Sequence, residues 1–264
     1  MNRNSSAGFL LDAAAHKKGE LQMKPLEGIR VLDFSQFMAG PMATLILSDL
    51  GAEVIKLENA KTGGDATRYG KVIQNGASSH YATRNRGKKS VVINMKDPEQ
   101  VKLFLKLVKT ADVVMENFKP GTMEKFGVTY DVLKEINPKI TYVRISGYGQ
   151  EGPYSSHAAY DATIQAEAGV VSITGPEGSQ GYKCGASIGD YSGAVFGAVA
   201  SLAGIAEAAR TGHGRCYDIS MMDALLFLQE NQLSVYLATG KIPVPSGNRY
   251  PQASPVGDFM CKDG

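Results

Sequence analysis

A repeated alternation of short buried strands and amphipathic helices begins at Gly28 and constrains the fold more than any other feature. Residues 29–32 are typical of a buried strand, residues 42–50 of a helix that a glycine ends, and residues 53–57 of a second strand. Two strands and a helix within about 30 residues form a βαβ unit, which requires parallel strands and a right-handed crossover. We therefore expect a parallel sheet.

The alternation continues along the chain and predicts four more strands, at residues 90–93, 112–115, 140–145 and 216–219. Between them we expect helices capped by Asp97 and Thr129, a long Ala/Gly-rich helix over residues 190–210, and a further helix from Met221. This order predicts an α/β fold, with an open, mostly parallel, Rossmann-like sheet and flanking helices.

The composition changes at both ends of this pattern. Residues 1–24 precede the first periodic segment and are expected to be a disordered extension, whereas residues 25–238 form one large α/β domain. Residues 239–264 are rich in proline and are expected to be a linker that leads into a smaller, truncated domain.

Cysteine usage and charge limit the function classes. Three cysteines without a CxxC spacing and four scattered histidines indicate neither a disulfide framework nor a metal site. A net charge of +2 is too mild for a dedicated nucleic-acid binder. No apolar run approaches the roughly 18 residues of a membrane span. We expect a reduced, cytoplasmic protein without metal, nucleic acid or membrane partners.

Ligands of open α/β sheets gather outside the carboxyl ends of the strands. This rule selects four loops rich in Gly, Asn, Gln, Tyr and Pro, at residues 33–40, 58–65, 116–121 and 146–153. The first loop lacks the GxGxxG of nicotinamide and flavin sites. The four loops are either tight turns or a ligand site.

A basic cluster precedes the third strand and has two interpretations. It is either a solvated face or a site that neutralises phosphates, and it comprises Arg84, Arg86, Lys88 and Lys89.

Asp190, in the string IGDYSG at the start of the long helix, also has two interpretations. Asp is a favoured N-cap, worth about 1 kcal/mol. A helix N-terminus also favours an ionised carboxylate, which is a competent nucleophile towards an activated acyl group. Gly185 and Gly189 leave room for a substrate. The residues alone favour the cap.

Seven ordered strings show that the chain resembles the family III CoA-transferases (the CaiB/BaiF family). They are LEGIRVLDFSQFMAGPMATLILSDLGAEVIKLE, NRGKKSVVINMKDPE, ADVVMENFKPGTMEKFG, ISGYGQEGPY, the stretch from AAYDATIQAEAG to SITG, IGDYSG, and TGHGRCYDISMMDALL. They run in the family's order from residue 26 to residue 226. The family includes formyl-CoA:oxalate CoA-transferase and α-methylacyl-CoA racemase.

The resemblance implies an acyl-CoA:carboxylate CoA-transferase whose nucleophile is Asp190, working through an aspartyl-CoA thioester. It implies coenzyme A as co-substrate, no tightly bound cofactor and no metal. The implied CoA contacts are Met38, Ala39, Ile93, Asn94, Met95, Lys96, Asn117, Phe118, Lys119, Lys125, Ala158, Ala159, Tyr160 and Asp161.

Several positions depart from the formyl-CoA:oxalate enzyme, which has Gln, Arg, Lys and Arg where this chain has Met38, Asn59, Ala158 and Lys125. CoA binding is expected to survive these changes, whereas specificity for oxalate is not implied. The racemase branch has a histidine where this chain has Tyr160, and tyrosine, with an ordinary pKa of about 10, is a poor base. Transfer is therefore favoured over racemisation.

The family's subunits are longer and interlock as dimers, so the resemblance implies a homodimer for the full-length protein. A smaller domain is expected to follow this segment. Two alternatives stay open: an isomerase acting on α-methylacyl-CoA, and an inactive, truncated CoA-binding fragment.

Overall fold

The computed structural model describes residues 23–70, 73–74, 76–251 and 253–263. Within them, six parallel strands form one sheet in the order β5-β2-β1-β6-β7-β8. Their bounds are β1 Arg30–Asp33, β2 Glu53–Glu58, β5 Lys89–Val92, β6 Val113–Glu116, β7 Thr141–Ser146 and β8 Cys216–Ser220. A small antiparallel pair comprises β3 Ile73–Gln74 and β4 Ala77–Ser78. The large sheet has the doubly wound order of the Rossmann-like folds.

Helices cover both faces of the sheet. Their bounds are α1 Ala39–Asp49, α2 Ser79–Asn85, α3 Pro98–Val108, α4 Tyr130–Ile136, α5 Asp161–Glu167, α6 Val170–Ile173, α7 Ile188–Thr211, α8 Met221–Leu228 and α9 Glu230–Thr239. One core lies between the sheet and α1, α5, α7 and α8, and the other between the sheet and α3 and α4. Neighbouring strand residues such as Val31 and Leu32 contribute to opposite cores, because side chains alternate along a strand.

The predicted fold class is confirmed, and most element boundaries agree within two residues. The predicted caps are confirmed too: the Asp97 side chain accepts a hydrogen bond from the Glu99 amide at 3.0 Å, and Thr129 accepts one from the Val132 amide at 3.3 Å. The extension prediction falls on residues 1–22, which lie outside the described residues, and on residues 23 and 24. The domain boundaries stay a prediction.

Helix α7 lies unusually close to the sheet because glycines face it. A Cβ at Gly197 would meet Ile145 Cδ1 at 2.7 Å, and one at Gly204 would meet Thr141 Cγ2 at 2.4 Å. Close helix packing is therefore the reason for these glycines.

The expectation that no apolar stretch is long enough to span a membrane was wrong. The 24 residues of α7 meet that test by length and composition. Half of the most apolar window is buried, however, and α7 packs against α1 and β7. A core helix of an α/β domain passes the same test, so α7 is weak evidence for a membrane span.

Candidate active site

The strand order reverses between β1 and β6, which opens a crevice at their carboxyl ends. The loops that follow these strands meet there. Asn117 joins them, because its side chain accepts a hydrogen bond from the Gln36 amide and donates one to the Gln36 carbonyl, both at 2.8 Å. Asn117 was predicted to contact CoA. In the structure its side chain fixes the first ligand loop, residues 34–38.

Two buried ion pairs lie under this first ligand loop. Asp33 contacts Lys88 at 3.0 Å, and Lys56 contacts Asp65 at 3.1 Å, with all four side chains no more than 1% exposed. Lys56 also donates to the Ser35 carbonyl at 2.6 Å. Burial alone would raise the pKa of Asp33, but the charges of Lys88 and Lys56 bring it below its usual range. Burial lowers the pKa of Lys88 to about 8.

These ion pairs were not predicted from the sequence. The available signal was a charged residue at an interior position of a parallel strand, which is normally covered on both faces. Lys56 occupies such a position in β2, and Asp33 ends β1.

The first ligand loop contains a strained residue at the mouth of the crevice. Phe37 has a φ of 64°, in the left-handed region that a non-glycine residue rarely adopts. Its amide lies 3.4 Å from Asp65 Oδ1, and its carbonyl accepts a hydrogen bond from Arg84 Nη1 at 3.3 Å. Backbone strain of this kind persists where the surroundings hold it, and it concentrates at functional sites.

A pocket of about 240 Å³ lies beside this loop at the carboxyl ends of the strands. It is lined mainly by apolar side chains: Phe34, Leu57, Ile93, Met95, Phe118 and Phe126. Lys96, which is exposed, also lines it. The pocket is smaller than a typical cavity for a whole drug-sized ligand. It therefore suits one apolar end of a longer ligand with anionic groups near Lys96.

Asp190 lies in the first turn of α7, but it is not the N-cap of that helix. The cap position is Ser187, whose side chain makes no capping hydrogen bond. A carboxylate from α5 takes that role instead: Asp161 Oδ1 accepts from the Gly189 amide at 2.8 Å and lies 3.4 Å from the Asp190 amide. A Cβ at Gly189 would lie 3.1 Å from this oxygen, so this glycine makes room for Asp161.

Gln165 fixes this arrangement from a fully buried position. Its amide nitrogen donates to Asp161 Oδ2 at 2.7 Å and to the Ala186 carbonyl at 3.2 Å. Its amide oxygen accepts from the Cys184 amide at 2.7 Å. One side chain thus ties the segment before α7 to the carboxylate that caps α7. Both oxygens of Asp161 thus accept hydrogen bonds from the protein, and its predicted contact with CoA stays a prediction.

The surroundings of Asp190 raise its pKa to about 6. Burial is the largest cause, and the negative charge of Asp161 adds to it, while the positive charge of Arg84 opposes both. A largely buried carboxylate with a raised pKa is a candidate for chemistry, because catalytic groups have perturbed pKa values. The segment before α7 also leaves open space, because nothing lies within 4 Å of a Cβ built at Gly185.

The remaining predicted contacts lie at four places in the fold, and their contact with CoA stays a prediction. Ile93, Met95, Lys96 and Phe118 line the pocket, and the Asn94 side chain accepts from the Lys96 amide at 3.2 Å. Lys119 and Lys125 are exposed on the segment after β6. Met38 and Ala39 lie at the start of α1, whereas Ala158, Ala159 and Tyr160 directly precede α5.

Three of the four members of the basic cluster have carboxylate partners, and the interpretation of the cluster as a phosphate site stays a prediction. Arg86 pairs with Asp49, Lys88 with Asp33 and Lys89 with Glu53. These carboxylates belong to strands and helices that are distant in sequence. The run of basic residues alone therefore did not reveal its carboxylate partners.

Comparison with known proteins identifies the family. The sequence model of CoA-transferase family III matches residues 26–264. The chain belongs to CoA-transferase family III. It is 38% identical over 246 residues to the succinate–glutarate CoA-transferase of Agrobacterium fabrum, covering 91% of this chain and 62% of that protein. It is 40% identical over 244 residues to the acetyl-CoA:oxalate CoA-transferase of Acetobacter aceti, covering 90% of this chain and 61% of that protein.

A solved structure agrees with this family assignment. The CaiB/BaiF family protein of Brucella suis superposes with a TM-score of 0.83 at 36% identity, covering 92% of this chain and 65% of that one. The family III chain described here thus spans about three fifths of the length of the curated relatives it matches.

Proposed function

We propose that the protein transfers CoA from an acyl-CoA donor to a carboxylic acid, with Asp190 as the covalent nucleophile. The observation that carries this proposal is the environment of Asp190, which lies in the first turn of α7 of a family III chain and has a pKa raised by burial and by Asp161. The named transferase relatives support the same reaction class.

CoA is proposed to lie along the carboxyl edge of the sheet. Its adenine end suits the apolar pocket, and its phosphates suit the exposed cations Lys96, Lys119 and Lys125. Its thiol end then points towards Met38 and Asp190. No tightly bound cofactor is proposed.

The proposed chemistry exchanges one activated acyl bond for another. The Asp190 carboxylate attacks the thioester carbonyl and forms a mixed anhydride, releasing CoA thiolate, which then attacks the aspartyl carbonyl and expels the donor acid. The acceptor carboxylate attacks the resulting aspartyl-CoA thioester to form a second anhydride and thiolate. The thiolate finally takes the acyl group, which regenerates Asp190. The protein must orient these groups and exclude water.

Racemisation is the weaker alternative. It needs a second base, and Tyr160 is 71% exposed beside α5. The oxygens of Asp161 accept hydrogen bonds from the Gly189 amide and from Gln165, so this carboxylate already has a structural role at the start of α7. Deuterium exchange at the α-carbon of a 2-methylacyl-CoA would reveal this activity.

The proposed partner is a second copy of the full-length protein. An apolar stripe on α7 supports an interface, since Val195, Val199 and Leu202 are exposed along one side of the helix. Light scattering combined with a transfer assay separates a dimeric enzyme from an inactive fragment. A cytoplasmic location is proposed too, and the unpaired thiols Cys184 and Cys216 are consistent with it.

The rate of transfer is expected to depend on the ionisation of Asp190. Because only the carboxylate attacks, kcat/KM for the acyl-CoA is expected to rise with pH through about 6 and then level off. Asp161→Asn removes a negative charge and is expected to move this rise in kcat/KM to lower pH. Arg84→Leu removes a positive charge and is expected to move it to higher pH. Shifts in the same direction would contradict this account.

Blocking the pocket is expected to weaken CoA binding. Ala66 is exposed at the pocket wall, so Ala66→Trp fills the cavity without disturbing the core. We expect the Kd for CoA, measured by calorimetry, to rise at least about tenfold, because the bulky ring occupies the ligand's space. The matched control is Ala209→Trp, at an exposed position near the C-terminal end of α7. Equal Kd values for the two variants would place CoA elsewhere.

A further inference from the structure

Arg84 differs from the other members of the basic cluster. Within the described part of the chain, Arg86, Lys88 and Lys89 each contact a carboxylate, whereas Arg84 has no carboxylate partner. Its side chain is half-buried, and its hydrogen bond is to the carbonyl of the strained Phe37. A guanidinium carries five donors, so most of its hydrogen-bonding capacity remains available to a ligand.

The backbone places Arg84 at the reacting end of the crevice. It contacts Phe37, which is followed by Met38 and by Ala39, the first residue of α1. Ala39 lies against α7 close to Gly193, one helical turn after Asp190. The charge of Arg84 accordingly acts on Asp190. Arg84 and the helical turn that contains the proposed nucleophile therefore lie against the same segment, residues 37–39.

We propose that Arg84 binds a second carboxylate of the acceptor acid, so that the protein selects dicarboxylic over monocarboxylic acceptors. The planar guanidinium matches a carboxylate in a two-pronged hydrogen bond. The proposal rests on the proposed function, since it places the first carboxylate of the acceptor at Asp190.

CoA offers phosphates with similar chemistry, but they are less suitable occupants of this site. In the proposed reaction CoA brings its sulfur to Asp190, and the pantetheine arm separates that sulfur from the phosphates. The cations Lys96, Lys119 and Lys125 lie on the pocket side and suit the phosphates better. An acceptor acid, in contrast, must reach Asp190 itself.

The test measures binding of matched acids to the CoA-saturated protein by calorimetry: succinate against butyrate, and glutarate against pentanoate. We expect the wild-type protein to bind each dicarboxylate about 10- to 100-fold more tightly, because a hydrogen-bonded charge pair is lost in the monocarboxylate. Arg84→Leu is expected to abolish this preference, and Arg84→Lys to retain part of it. The matched control Arg210→Leu, at the exposed far end of α7, is expected to keep it.

Two results would overturn the inference: no preference in the wild-type protein, or a preference in Arg84→Leu that is unchanged because binding of both acid types weakens equally or not at all. A weaker affinity of Arg84→Leu for CoA itself would assign Arg84 to a phosphate and also overturn it. Because binding is measured without turnover, this test does not depend on the transfer reaction. The inference about Arg84 and the proposed function can therefore fail independently. A protein that prefers dicarboxylates but never transfers CoA contradicts only the transferase proposal.

Discussion

Asp190→Asn is expected to lower kcat for CoA transfer by at least about 10⁴-fold, because the amide cannot form the anhydride or the aspartyl thioester. The affinity for CoA is expected to change by no more than about threefold, since the pocket that we propose for CoA is lined by other residues. Steady-state transfer assays and calorimetry measure the two quantities. Asp190→Ala is expected to behave in the same way.

The matched control for this prediction is Asp223→Asn. Asp223 occupies the same third position of α8 that Asp190 occupies in α7, but it is exposed. The control is expected to keep transfer activity close to that of the wild type. Wild-type-like turnover in freshly purified Asp190→Ala protein would contradict the assignment of the nucleophile.

Lys56→Met is expected to lower the free energy of unfolding by about 3–5 kcal/mol, because it leaves the Asp65 carboxylate buried without its cation. The variant also loses the hydrogen bond to the Ser35 carbonyl, so the first ligand loop loses part of its support. Urea unfolding measures the change. The double variant Lys56→Met/Asp65→Asn is expected to recover part of the loss, since it removes both charges.

The matched control for this stability prediction is Lys102→Met. Lys102 pairs with Glu99 on the surface, with side chains 67% and 76% exposed. Exposed pairs contribute only about 0–1 kcal/mol. If Lys56→Met were no more destabilising than Lys102→Met, the buried pair could not be what holds the loop.

Local signals in the sequence predicted most of the fold. Strand-length apolar runs and helical periodicity located the elements, and short-range chemistry at Asp97 and Thr129 located their caps. These features depend on residues close together in the chain. The parallel sheet followed from the βαβ order, because a parallel connection requires a crossover.

The hydrogen bonds and ion pairs of the candidate site depend on tertiary contacts, so they were not predictable from local sequence signals. Asp161 caps α7 from a different helix, so the interpretation of Asp190 as the N-cap of α7 was wrong. The partners of Arg86 and Lys89 lie 37 and 36 residues away, so these ion pairs cannot be inferred from the local charge pattern. Arg84 differs from the rest of the basic cluster only through tertiary contacts, because in the described part of the chain the other three members have carboxylate partners.

The most direct test of the central claim is peptide mass spectrometry of the protein after incubation with an acyl-CoA and rapid acid quenching. The account predicts a CoA adduct on the peptide that contains Asp190 in the wild-type protein and none in Asp190→Asn. An adduct on another carboxylate, or steady turnover with no adduct under any quenching condition, would contradict Asp190 as the covalent nucleophile.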